Sequence, residues 1–358
     1  MNMKPFVINV PQAALDDLQA RLAMTRFTDE VPGSGSDYGV SVEWLKRMVD
    51  YWCSGYDWRA WEARLDAHPQ FTTEIDGQNI HFIHVRSAQE DALALILTHG
   101  WPGTVVEYLD VIDDLSQDFH LVIPSLPGFG FSGPTRERGW SRYRIARAWA
   151  ELMKRLSYTR YGAVGNDAGS MVSPEVGRID PEHVVGVHVT QIFSFPSGDP
   201  AELEGLTEDE QAALRHLQWF WENMGAFNTL QSQSPQTLAH ALADSPAGLL
   251  GWMGQLIAVD DDFALTNIMI HWLCQTAGSS MRLYYEDAKA EPPTGPTTVP
   301  IGLAGFANDF KSIRRFAARD HKNIMQWHTY DVGGHYAAHQ EPDVFTKDVR
   351  EFFNGLHP

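Results

Sequence analysis

Five short apolar runs, each bounded by turn-forming residues, constrain the fold of this chain more than any other feature: IHFIHV (80–85), LALILT (93–98), HLVIP (120–124), YGAVG (161–165) and VVGVHVT (184–190). A strand wetted on one face alternates apolar and polar side chains. Runs that stay apolar throughout are buried on both faces, as in a parallel sheet lying between helical layers. Between the third and fourth runs, Ser141 is placed to cap a helix whose apolar stripe is Ile145, Trp149, Leu152, Met153 and Leu156. Strand and helix therefore alternate, which predicts an α/β fold with a mostly parallel, doubly wound sheet. At 358 residues and 44% apolar content the chain can fill a large core and still carry insertions.

The remaining segments divide around that core. Residues 1–75 read as a helical segment, with Leu15, Leu18 and Leu22 behind Pro11, then Val42, Leu45, Met48, Val49 and Trp52, joined by PGSGSDYG. Residues 76–195 form the first half of the core. Residues 196–292 carry helical patterns and many aromatics without a convincing strand, and read as an inserted helical cap. EPPTGPTT marks the return to the second half, 293–358, with strands in TTVPIGLAG (297–305) and MQWHTYDV (325–332) and a last helix through Val344, Val349 and Phe352. The acidic cluster Asp260 to Asp262 reads as a solvated loop rather than a metal site. With 46 acidic against 27 basic side chains, a formal charge of −19 opposes nucleic acid and anionic membrane surfaces as partners. Cys53 and Cys274 stand alone and far apart, which suggests neither a disulfide framework nor a cysteine zinc site. The opening MNMKPFVINVPQ lacks the apolar core of a signal peptide, and the run ALALIL is too short to cross a bilayer. A cytoplasmic protein without a membrane anchor, a metal or a cofactor is the expectation.

The chemistry is concentrated at predicted strand ends. In GAVGNDAGS, glycines two positions either side of Asp167 permit a sharp strand-to-helix turn that lifts this carboxylate above the sheet. The alternative is a common helix-capping aspartate. After LALILT, the turn HGWPG supplies a second loop, so the backbone amides of Trp101 and Ala168 are candidates for an oxyanion hole, while His99 stabilises the loop without transferring protons. Asp309 follows the next strand and His335 the last, giving the chain order nucleophile, acid, histidine. A serine would suit attack on a carbonyl; a carboxylate is instead a competent nucleophile toward a strained or activated sp3 carbon. The resulting ester is cleaved by water that His335 deprotonates, which narrows the reaction to epoxide opening or carbon–halogen cleavage. An opening epoxide needs a proton donor, and Tyr284 and Tyr285 stand at the end of the cap, either above the nucleophile or simply packed there.

These residues resemble the microsomal-type epoxide hydrolases of the α/β-hydrolase superfamily, including the bacterial and juvenile-hormone-type members. The likeness runs through YW, YDWR, EARL and PQFTTEIDGQNIHFIHVRS (51–87), then HGWPG, PSLPGFGFSGP (124–134), the Asp167 turn, ADSPAGLLGW (243–252), SSMRLYYE and GGHYAAHQEP. It implies Asp167 as nucleophile, His335 as base, Asp309 as the acid where many relatives have glutamate, and Tyr284 as one of two ring-opening tyrosines. Two departures stand out. Phe227 occupies the position expected for the second tyrosine, and Ala168 replaces the tryptophan that usually follows the nucleophile. The expected function is conversion of a lipophilic epoxide and water to a vicinal diol. Among Trp219, Phe220, Trp221, Phe227, Trp252, Phe263 and Trp272, many belong to the cap's own core; Phe227, Trp219, Trp252 and Tyr285 are the expected substrate contacts. A haloalkane or haloacid dehalogenase with the same triad is the alternative enzyme, and a ligand-binding protein on the same scaffold the alternative of another class. A homodimer is compatible with the sequence.

Overall fold

The uninterrupted apolar runs form the centre of a nine-stranded sheet. The computed structural model describes residues 3–257 and 259–356. Its strands are β1 (Lys4–Phe6), β2 (Gln70–Ile75), β3 (Gln78–Val85), β4 (Leu93–Thr98), β5 (Phe119–Pro124), β6 (Tyr161–Gly165), β7 (Val184–Val189), β8 (Ile301–Gly305) and β9 (Ile324–Thr329). They lie in the order β1-β2-β3-β5-β4-β6-β7-β8-β9. From β5 to β9 every neighbouring pair is parallel, and β1, β2 and β3 add an antiparallel edge. This is the α/β-hydrolase architecture, with one correction. The first 75 residues are not wholly helical, because β1 and β2 belong to them. The signal for β2 is the dipeptide Asp76-Gly77, whose φ values of 52° and 73° make a two-residue hairpin turn onto β3.

The amino-terminal helices are α1 (Gln12–Ala23), α2 (Val42–Ser54) and α3 (Trp58–Asp66); α4 (Ile112–Leu115) precedes β5. Helices α5 (Arg142–Arg155) and α6 (Ala168–Ile179) flank β6 in sequence and pack against each other. The last three are α13 (Arg314–Asp320), α14 (Ala337–Gln340) and α15 (Pro342–Asn354) when the six helices between β7 and β8 are counted first: α7 (Glu208–Asn223), α8 (Ala226–Gln233), α9 (Pro235–Asp244), α10 (Pro246–Gly254), α11 (Asp261–Leu273) and α12 (Ala277–Lys289). On one face of the sheet, a Cβ at Gly162, Gly186 or Gly302 would fall 2.3–2.6 Å from Phe353, Leu356 or Phe352. Missing side chains on β6, β7 and β8 thus let α15 sit close. On the other face Gly177 of α6 lies against Val187 and Val299.

The segment between β7 and β8 is fastened to the rest by polar contacts. Asp260, Asp261 and Asp262 are not a solvated loop. Asp260 accepts from the Phe263 amide at 2.8 Å and lies 2.6 Å from His339 Nε2; Asp261 pairs with Arg47 at 2.5 Å; Asp262 accepts from the Tyr51 hydroxyl at 2.7 Å. The cluster therefore ties α11 to α2 and α14. Among the described residues no helix is long and apolar enough to cross a membrane.

Candidate active site

Strand β4 lies between β5 and β6, so the chain leaves β4 toward one edge and crosses back to the other. The loops after β4 and β6 then diverge and open a crevice at the carboxyl ends of the strands. Thr98 and Gly165 are register partners, which places HGWPG and the Asp167 turn side by side. Asp167 has φ 53° and ψ −115°, a backbone state that L residues rarely adopt and that the surroundings must enforce. Close approach enforces it: a Cβ on Gly165 would lie 2.1 Å from the Gly169 carbonyl oxygen, and one on Gly169 would lie 1.8 Å from that of Thr98. The two glycines are required by contact and not by φ, since neither adopts a positive value.

Three elements converge on the Asp167 carboxylate. The Trp101 amide donates to Oδ1 at 2.9 Å, and the Ala168 amide faces the same group. His335 Nε2 stands 3.6 Å from Oδ2. His335 Nδ1 in turn lies 2.9 Å from Asp309 Oδ1. The structure thus brings Asp167, His335, Asp309, Trp101 and Ala168 together from the four segments that follow β4, β6, β8 and β9. Burial pushes the Asp167 carboxyl above the ordinary range, opposed by the charge of His335 and by the amides of Trp101 and Ala168. For His335 burial acts downward, but Asp309, Asp167 and Glu107 outweigh it and raise the imidazole to about 10. Asp309 lies below its usual value: burial opposes this, and His335 and Gln191 overcome it. His99 is neutral and structural, its ring lowered to about 3 by burial, with Nδ1 3.0 Å from the Gly100 carbonyl and Nε2 accepting from the Leu126 amide at 3.1 Å.

A polar layer beneath the triad escaped the sequence reading. Gln191, just past β7, accepts from the Asp167 amide at 2.8 Å and from Ser170 Oγ at 2.9 Å, while its amide nitrogen donates to Asn166 and to Asp309 Oδ2. Glu107 accepts from Asn166 Nδ2 at 2.9 Å and from the Gly100 amide at 3.3 Å, and burial raises it to about 7. The available signals were a glutamine directly after a strand and a lone acid inside the apolar run VVEYL. Neither carries information about partners as far as 59 and 118 residues away.

Above the carboxylate lies a cavity of 520 Å³. Tyr284 lines it, and its hydroxyl makes no hydrogen bond to protein among the described residues. Phe227 stacks on Trp101 with centroids 5.6 Å apart, and Tyr284 meets both edge-on at 5.7 and 5.9 Å. Burial, then the charges of Asp167 and Asp287, hold the Tyr284 phenol well above its usual value, so it is a protonated donor. Three expected substrate contacts are corrected. Trp219 is 51% exposed and stands outside the cavity, although its neighbours Phe220 and Trp221 line it. The Trp252 indole donates to Gln231 at 3.0 Å, and Tyr285 lies under Lys289 Nζ at 3.7 Å; neither reaches the cavity. Tyr285 fails for a geometric reason: the residue after Tyr284 points about 100° away around the helix.

Comparisons with known proteins agree with this geometry. Residues 3–108 match the family model for the epoxide hydrolase N terminus, and residues 94–287 that for the alpha/beta hydrolase fold. A putative epoxide hydrolase of Stigmatella aurantiaca is 38% identical over 98% of this chain and 85% of its own length. Juvenile hormone epoxide hydrolase 1 of Ctenocephalides felis is 30% identical over 99% of this chain and 88% of its own. Among solved structures, Aspergillus niger epoxide hydrolase superposes with a TM-score of 0.89 at 29% identity, covering 100% of this chain and 97% of that one.

Proposed function

The chain belongs to the epoxide hydrolase family of the α/β-hydrolases, and from that premise we propose that it converts a lipophilic epoxide to a vicinal diol through an ester formed on Asp167. The supporting observation is the Asp167 carboxylate itself, with Oδ1 on the Trp101 amide at 2.9 Å and Oδ2 3.6 Å from His335 Nε2. The oxygen held by the amides is the one that becomes an oxyanion; the other is free to attack. Oδ2 forms a bond to an oxirane carbon, the ring carbon–oxygen bond breaks, and the Tyr284 hydroxyl gives its proton to the departing oxygen. His335 then takes a proton from water, whose oxygen adds to the Asp167 carboxyl carbon. The Trp101 and Ala168 amides hold the tetrahedral oxyanion until the diol leaves.

The raised pKa of His335 fits this order. In the free enzyme the imidazole is protonated and partners Asp167, stabilising the nucleophile as a carboxylate. Esterification removes the negative charge of Asp167, one of the groups that raises His335, so ring opening itself moves the imidazole toward the neutral form needed for hydrolysis. The released proton balances the one that Tyr284 supplied.

Phe227 has no hydroxyl, so of these two cap positions Tyr284 alone brings a phenol to the cavity wall. Tyr284→Phe lowers kcat/KM for styrene oxide by about 10²-fold or more, the usual worth of a positioned general acid. Diol formation from styrene oxide and halide release from haloalkanes, measured side by side, test the reaction class. Diol without halide is the expected result; halide release without diol would instead support a dehalogenase. The Trp101 indole already donates to Ser280 Oγ at 3.2 Å and is not free to cradle a departing halide.

A further inference from the structure

Beyond the triad, Arg142 and Asp287 put a charged pair into the wall of a largely apolar cavity. Arg142 opens α5; its backbone amide donates to Asp287 Oδ1 at 2.7 Å and its Nε to Oδ2 at 3.1 Å. Asp287 is therefore fully engaged, capping α5 from α12 while its side chain is 9% exposed. The two terminal guanidinium nitrogens of Arg142 make no hydrogen bond to protein among the described residues, and Arg142 retains 29% side-chain exposure. His335 is engaged with Asp309 and Asp167, and Lys311 donates to the carbonyls of Phe306 and Ala307 at 2.9 and 2.6 Å. Arg142 thus brings to this wall a guanidinium edge whose two terminal nitrogens have no protein acceptor among the described residues.

Its position relative to the chemistry follows from the helix. Asp287 lies three residues beyond Tyr284 on α12, hence on the same face and about 4.5 Å along the axis. An epoxide whose ring oxygen meets Tyr284 extends past the Arg142–Asp287 pair within a few bonds. A free guanidinium edge in a low-dielectric wall forms a strong charge-assisted hydrogen bond with any acceptor placed there. Charge decides which acceptor. Asp287 already balances Arg142, Asp167 and Asp309 line the same cavity, and the protein carries −19 overall, so a carboxylate gains less than a neutral oxygen.

We propose that Arg142 forms a specificity subsite for the carbonyl oxygen of an epoxide bearing a ketone, ester or amide a few bonds from the oxirane. This deepens the epoxide hydrolase reading and rests on it. The test compares kcat/KM for terminal epoxides carrying a methyl ketone, a carboxylate or only alkyl at equal chain length, over a series of spacers. It uses the native protein, Arg142→Met, which keeps the apolar stem, and Arg142→Lys, which keeps the charge. At the best spacer, the ketone-to-alkyl ratio falls about tenfold in Arg142→Met and is partly retained in Arg142→Lys. A ratio that Arg142→Met leaves unmoved at every spacer overturns the subsite, and so does a carboxylate that loses more than the ketone on this substitution. Absence of diol from the alkyl epoxides with the native protein would instead count against the reaction class, so the two failures are distinguishable.

Discussion

His335→Gln stops turnover after about one equivalent of epoxide, and the peptide containing Asp167 gains the mass of the substrate. The attack of Oδ2 on the oxirane needs no base, since the charge of His335 and the amides of Trp101 and Ala168 favour the carboxylate form of Asp167 against the effect of burial. Hydrolysis of the ester does need one. Glutamine preserves much of the volume but cannot take a proton from water, so the ester accumulates and steady-state kcat falls by about 10³-fold or more. The first step also slows, because the imidazolium charge that favours ionised Asp167 is gone. Native enzyme gives the complementary pH result. Its ester-hydrolysis rate rises with pH as His335 loses its proton, with a midpoint below about 10, because the esterified Asp167 no longer holds the imidazolium. Rapid-quench measurement of both steps between pH 6 and 10 checks the sign.

Asp348→Ala is the second large effect, and it acts on stability rather than chemistry. Asp348 of α15 is fully buried, and its carboxylate meets His188 Nε2 at 2.6 Å, Gln326 Nε2 at 2.7 Å, His328 Nδ1 at 2.7 Å and the Tyr330 hydroxyl at 2.5 Å. One carboxylate thus joins β7, β9 and α15 across the sheet face opposite α6. Burial alone would raise its pKa; the hydrogen bond and charge of His188, with Tyr330 and His328, bring it down to about 2. Alanine leaves four buried or half-buried polar groups without their acceptor, a loss of about 3–5 kcal/mol, seen as a lower midpoint in urea unfolding. Because the folded-state pKa is depressed, the ionic contribution is full above the ordinary aspartate value near 4 and disappears as pH falls through about 2. The destabilisation of the alanine variant relative to native protein therefore shrinks as the pH is lowered from 5 toward 2. A variant as stable as the native chain at pH 7 would contradict this role.

Much of this was legible in the sequence, for identifiable reasons. Strands β4 to β7 announce themselves because burial on both faces forces uninterrupted apolar runs, and the Asp167 turn shows because crowding excludes Cβ at Gly165 and Gly169. Strand β2 was hidden because QFTTEI is buried unevenly, although the Asp76-Gly77 turn that pairs it with β3 is visible in the letters. The roles of Asp260, Asp261 and Asp262 were unreadable because their partners, Arg47, Tyr51 and His339, are distant in the chain and close only in space. Trp219, Trp252 and Tyr285 show the same limit in reverse: composition marks the cap as aromatic, but which ring turns toward the cavity depends on how six helices pack. Gln191 and Glu107 support the Asp167 turn from below, through long-range hydrogen bonds that leave no spacing pattern.

A single turnover in water enriched with heavy oxygen, followed by mass analysis of the diol and of the peptide carrying Asp167, goes to the root of the mechanism. If solvent attacks the ester carbonyl, the label enters the carboxylate of Asp167 and the first diol released is unlabelled. A labelled diol with an unlabelled Asp167 peptide would mean that water opens the oxirane directly, and that Asp167 is never the nucleophile.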